Sequence, residues 1–147
     1  MSLRICTASV LVGLLCLHVL ADDKDDKNAA DGKALAGGWK LTSINYDGDN
    51  RDVPGDDGAF VKFKDGKLLI KDVEAFSYKF DATTDPKIID FTNLTEENKG
   101  QVLEGIYKVD GDTLTICLWS GMGTKSRPAI FEAKPGTGHV LVVLKRT

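Results

Sequence analysis

The sequence predicts an all-β protein, an antiparallel meander that closes into a barrel of eight to nine strands. Three observations predict it. Beyond Gly38 the apolar residues recur with a period of two, and no window there carries a 3.6-residue period. The segments so marked are short, and two-residue turn signals such as Asp65-Gly66 and Asp110-Gly111 separate them. A meander of that many strands removes its exposed edges most simply by closing on itself. A two-sheet β-sandwich is the alternative that periodicity leaves open.

The first element along the chain reads as a secretory signal over residues 1–21. A short start carrying Arg4 leads into an apolar run from Ala8 to Leu20, broken by Ser9, Gly13 and His18, and Val19-Leu20-Ala21 suits cleavage before Asp22. The run falls short of the roughly 20 residues that span a bilayer as a helix, so no stable membrane span is expected after cleavage. An uncleaved anchor is the alternative. Lipidation at Cys16 is disfavoured because Leu15, and not a small residue, precedes it. With Cys6 and Cys16 removed, Cys117 is the sole cysteine; an exported domain without a disulfide is held by its core alone.

Residues 22–34 read as a flexible charged linker. From Asp22 to Gly32 there is no large apolar residue whose burial could offset the entropy of ordering. One helical turn is expected over Lys33 to Ala36, and the barrel domain is assigned to 35–147.

The strands follow in order. Trp39 and Leu41 share one parity while Ile44 and Tyr46 share the other, which predicts a first strand bent by a bulge near Thr42-Ser43. Eight further strands are expected over 59–64, 67–71, 74–81, 87–92, 101–109, 112–119, 129–133 and 139–145. Parity turns Leu103, Gly105, Tyr107 and Val109 to the core, together with Leu114, Ile116 and Leu118. The last strand, Val140-Leu141-Val142-Val143-Leu144, is apolar on both faces and so should be central.

Charge narrows the partners. With 19 Lys and Arg against 22 Asp and Glu the net charge is −3, one unit more negative once Arg4 leaves with the signal. Lys62, Lys64, Asp65, Lys67, Lys71 and Asp72 mix both signs, which reads as solvated surface. No nucleic-acid partner is expected.

The residues that carry chemistry are isolated. His139 is the only histidine after the signal, and Ser120 in Trp119-Ser120-Gly121 lacks the glycine two positions earlier that a nucleophile elbow requires. Cys117 has no neighbouring histidine or second cysteine, and zinc lacks a ligand set. Asp47, Asp49, Asp52, Asp56 and Asp57 crowd one loop, but Arg51 interrupts them and no glutamate closes a calcium-loop pattern. Asn93-Leu94-Thr95 matches a glycosylation sequon, a pattern frequent by chance. No catalytic residue, metal or cofactor is therefore predicted, and the chain is not read as an enzyme.

Gly37-Gly38-Trp39-Lys40 opening the first strand and Leu144-Lys145-Arg146 closing the last look like a lipocalin-like barrel. Pro86-Lys87-Ile88-Ile89-Asp90-Phe91-Thr92, the run Gly105 to Leu114, Cys117-Leu118, and Arg127-Pro128 with Phe131 resemble a family of exported domains common in planctomycete bacteria. The resemblance spans roughly Leu35 to Arg146. It implies a signal-bearing bacterial protein, periplasmic or secreted, and supplies no catalytic residues. It departs at Ala129, where the family often has threonine. Trp39 and Arg146 are expected to stack and close one end of the barrel. Trp119, Gly105, Tyr107 and Arg127 are the candidate ligand contacts, Trp119 because it enters a glycine-rich loop and Gly105 because its missing side chain can leave space. No reaction or particular ligand is identified; the expected role is a monomeric exported binding module that holds a small apolar or amphipathic molecule in the barrel. The alternative is a non-catalytic envelope interaction module with a packed interior.

Overall fold

A computed structural model of the chain describes residues 19–53 and 59–147. One helix, α1 (Val19–Leu35), precedes nine strands: β1 (Gly37–Tyr46), β2 (Asp49–Asp52), β3 (Phe60–Lys64), β4 (Lys67–Ile70), β5 (Val73–Asp81), β6 (Lys87–Asn93), β7 (Val102–Asp110), β8 (Thr113–Trp119) and β9 (His139–Arg146). Each strand from β3 to β8 pairs antiparallel with the next. β1 pairs with both β3 and β9, so eight strands close into an up-and-down barrel. The sandwich alternative is set aside by the β1–β9 pairing.

β1 carries the closure because it bends. Its first half pairs with β3, from Gly37 opposite Phe63 to Lys40 opposite Phe60, and its second half, Ser43 to Tyr46, pairs with β2 outside the ring. The register against β9 slips between Leu41 and Ser43. That one-residue bulge puts Trp39 and Leu41 on the inner face before it and Ile44 after it, as the parity change in the sequence requires.

Two strand expectations fail. Residues 129–133 form no strand; they belong to a long irregular connection, 120–138, that lies on the outside of β7 and β8. There Arg127 donates to the Gly105 carbonyl at 2.7 Å, the Cys117 thiol meets the Glu132 carbonyl at 3.5 Å, and Lys108 sits 4.7 Å over the Phe131 ring. This segment lies over the outward-facing Cys117 without joining the ladder. Conversely β2 lies within the stretch read as a solvated aspartate loop. Asp47 and Gly48 both take positive φ, 50° and 90°, the geometry of a tight hairpin turn. Since β2 is exposed throughout, it has no buried face and thus no period to read.

The segment expected to be a flexible linker is helical. Its docking is polar, which composition could not show. Asn28 accepts the Ala82 N–H at 2.8 Å, and Asp31 accepts from the Lys87 ammonium at 2.7 and 2.9 Å and from the Tyr107 hydroxyl at 2.7 Å. Leu35, fully buried, is the helix's main apolar contribution. Its last carbonyls, which lack intrahelical partners, are taken by the barrel: Trp39 Nε1 donates to the Leu35 carbonyl at 2.8 Å, and the Arg146 guanidinium to those of Ala34 and Ala36. A cation at that terminus also suits the helix dipole. Val19–Ala21, the last three residues of the expected signal, open α1; the rest of that segment lies outside the described residues. Among the described residues no helix is long and apolar enough to cross a membrane.

Candidate functional site: an apolar cavity in the barrel

The inner faces of the strands are apolar, and at one end they meet. Leu35, at the end of α1, packs there with Trp39, Tyr107 and Leu114, each at most 1% exposed. Phe80 meets Tyr107 edge to face at 6.1 Å, and Phe63 meets Tyr78 at 5.1 Å, extending the seal inward. Arg146 stacks 4.2 Å over the Trp39 ring at the same end.

Above this seal the inward side chains leave a partly open cavity of about 220 Å³. Leu41, Val61, Phe76, Phe91, Leu103 and Leu118 are among its walls, and every lining side chain is a hydrocarbon. No wall group can hydrogen-bond a ligand's polar atom, so the cavity suits an apolar group and penalises a polar one left unpaired.

The four candidate ligand contacts do not line this cavity. Tyr107 faces inward but lies at the sealed end with its hydroxyl on Asp31; burial, reinforced by that carboxylate, pushes its pKa far above the usual phenol value. Gly105 also faces inward, but leaves no space. A Cβ there would stand 2.8 Å from the Cys117 carbonyl oxygen and 2.9 Å from the Leu118 Cβ, so the glycine permits close approach of β7 and β8. Trp119 faces outward, 8% exposed, and its Nε1 donates to the Met122 carbonyl at 2.7 Å, pinning the start of the outer connection. Arg127 is also outside, its guanidinium on both Asp90 oxygens at 2.7 and 3.2 Å. Gly105 and Arg127 meet through one hydrogen bond; the others lie apart.

Sequence reasoning treated several cavity residues, Leu103 and Leu118 among them, as ordinary core. The parity that assigns them inward was legible, but whether facing residues meet or leave a gap depends on barrel diameter, which parity does not carry. It also missed that Ser126 and His139 meet, with Oγ to Nε2 at 3.2 Å. The same Nε2 lies 3.1 Å from the Ser126 carbonyl, an acceptor only. These contacts tie the Ser126 segment to the start of β9. Asn93 of the sequon is 8% exposed, its side-chain carbonyl held by the Thr95 N–H and hydroxyl at 2.9 and 2.7 Å. Among the described residues no three His, Cys, Asp or Glu side chains converge as metal ligands.

A closed eight-stranded meander, sealed at one end and hollow and apolar at the other, is a barrel of the class whose interior is filled by its own side chains or holds one small molecule. Residues 35–137 match the model of the lipocalin-like domain family, and the chain belongs to that family. No curated protein and no solved structure matches it.

Proposed function

We propose that this protein is an exported, monomeric, non-enzymatic carrier that holds one small apolar molecule, or the apolar part of an amphipathic one, in the barrel. It would act in the periplasm or outside the cell, as befits the exported planctomycete-type domains its motifs resemble. The observation that carries the reading is the cavity of about 220 Å³ walled only by hydrocarbon side chains. Apolar voids cost about 24 cal/mol per Å³ where their walls cannot relax, so an empty site of this size forgoes up to about 5 kcal/mol of contacts. A ligand recovers part of that, and so should stabilise the fold in proportion to its occupancy. The packed-interior alternative is disfavoured by the same cavity.

The test is mass spectrometry of an organic extract from the purified protein. A reproducible apolar compound near one equivalent per chain is expected. If nothing copurifies and no added apolar compound raises the melting temperature, the carrier reading is wrong.

A further inference from the structure

The sequence run Phe60-Val61-Lys62-Phe63-Lys64 places Val61 and Phe63 inside the barrel, so Phe60, Lys62 and Lys64 all stand outside on one face. The ladder extends this face sideways. Lys40 is directly opposite both Phe60 on β3 and Lys145 on β9; Lys62 is opposite Gly38 and Leu69. Lys71 closes the row, sharing with Phe60, Lys62 and Leu69 a shallow groove of about 190 Å³ that also meets Asp72. The two-residue period thus gathers Lys40, Lys62, Lys64 and Lys145 on one outer face, with Lys71 and Asp72 in the turn beside it. None of Lys40, Lys62, Lys64, Lys71 and Lys145 pairs with a carboxylate among the described residues. The directly opposed Lys40 and Lys145 repel in the absence of a counter-charge.

An aromatic ring sits on this face. Phe60 is 55% exposed, with the Lys40 ammonium 5.3 Å from its centroid. It is flanked in sequence by Ala59 and Val61, both cavity walls, and Val73, opposite the cavity-lining Ile70, is 68% exposed at the same rim. Lysines around the exposed Phe60 on the outer face, with Val73 exposed on the inner side of the adjoining rim, match the two layers of an anionic lipid surface: headgroup charge for the ammonium groups and the acyl boundary for Phe60 and Val73. A soluble polyanion would satisfy the lysines but give Val73 nothing.

We propose that this face, built on β1, β3, β4 and β9, docks the barrel on an anionic phospholipid bilayer and brings the cavity rim against the lipid. The inference goes beyond the carrier reading and does not need the cavity to be filled.

The test is cosedimentation of the full chain with phosphatidylcholine vesicles, with and without phosphatidylglycerol. Neutral vesicles report any binding by the apolar N-terminal run, so the difference between the two is the signal. Binding that requires phosphatidylglycerol and weakens with salt is expected. Lys62→Gln and Lys71→Gln should each lower the partition coefficient roughly fivefold. Phe60→Ser should lower it while leaving the salt dependence unchanged, and Lys134→Gln, off this face, should not matter. All four positions are exposed, and circular dichroism melts establish that the variants are folded. Equal binding to both vesicle types, or anionic binding indifferent to Lys62, Lys71 and Phe60, overturns the proposal. So does phosphatidylglycerol binding that Phe60→Ser leaves intact while dextran sulfate displaces it, which marks a polyanion site.

Discussion

Trp39 and Trp119 are both buried, on opposite sides of the barrel wall. Trp39 lies inside the sealed end with its indole nitrogen on α1 and Arg146 over its ring; Trp119 lies outside, holding the Met122 carbonyl. Alanine at Trp39 should cost about 3 to 5 kcal/mol. From its loop context Trp119 would be expected to cost little; its burial puts Trp119→Ala at about 3 kcal/mol as well, and its position predicts unchanged ligand affinity. Thermal melts and a titration on the two variants check both statements. Weakened binding at Trp119→Ala without loss of stability would contradict its place on the outer wall. A second residue-scale prediction concerns Cys117, whose thiol burial pushes up to about 11 from an ordinary 9.0. The fold favours the neutral thiol, so this contribution is whole below pH 9 and is lost as pH rises from about 9 to about 11. Its full size is at most about 3 kcal/mol, at 1.36 kcal/mol per unit. Denaturant melts should show a steeper alkaline fall in the native protein than in Cys117→Ala, in which the other groups still titrate. Parallel curves would mean the thiolate is not disfavoured. That Cys117 is outward and buried could be read only in part: its parity was legible, but the cover over it comes from a segment distant in sequence.

At the scale of elements, most strands and the Asp65-Gly66 and Asp110-Gly111 turns were legible because a half-buried strand writes its two faces into the sequence, whereas the Asp47-Gly48 turn was not. Of the elements that were misread, the outer connection carries a two-residue alternation without joining the ladder, whereas α1 and β2 bury too little apolar surface to leave a period. They are held by polar contacts instead, and a carboxylate in sequence does not announce a partner more than fifty residues away. Asp31 is the clearest instance. Its carboxylate joins the Lys87 ammonium and the Tyr107 hydroxyl, with the Asp31 side chain 15% and that of Lys87 37% exposed. Asp31→Ala leaves a cation and a buried hydroxyl without their acceptor. Discounted for the solvent that reaches Lys87, the loss should be about 1 to 3 kcal/mol. Hydrogen exchange should show α1 opening more readily than the barrel strands in that variant; protection of α1 equal to that in the native chain would mean other contacts hold it. On the outer wall, Arg127→Ala removes the pairing to Asp90 and the bond to the Gly105 carbonyl. It should free the 120–138 connection to proteolysis while shifting the global melt by about 1 to 2 kcal/mol. A connection as resistant to protease as before would show that the apolar cover suffices.

For the molecule as a whole, the closed barrel divides into a sealed half and a hollow half, and the division follows from which side chains the strands turn inward. At one end large rings and α1 fill the space, whereas toward the other end Leu, Val and Phe side chains leave a cavity between them. The fold class could be read from periodicity, but the cavity could not, because it is a difference between barrel volume and side-chain volume. The central claim is that this hollow is a binding site. It is tested most directly by titrating a fluorescent fatty-acid probe into the native chain and into Leu103→Trp, in which a larger ring projects from a cavity wall. The account predicts saturable binding near one probe per native chain. In Leu103→Trp it predicts affinity lowered at least tenfold, with a melting temperature equal to or above that of the native chain. Equal probe affinity in the two proteins, with the variant folded, would place the binding elsewhere and contradict the account.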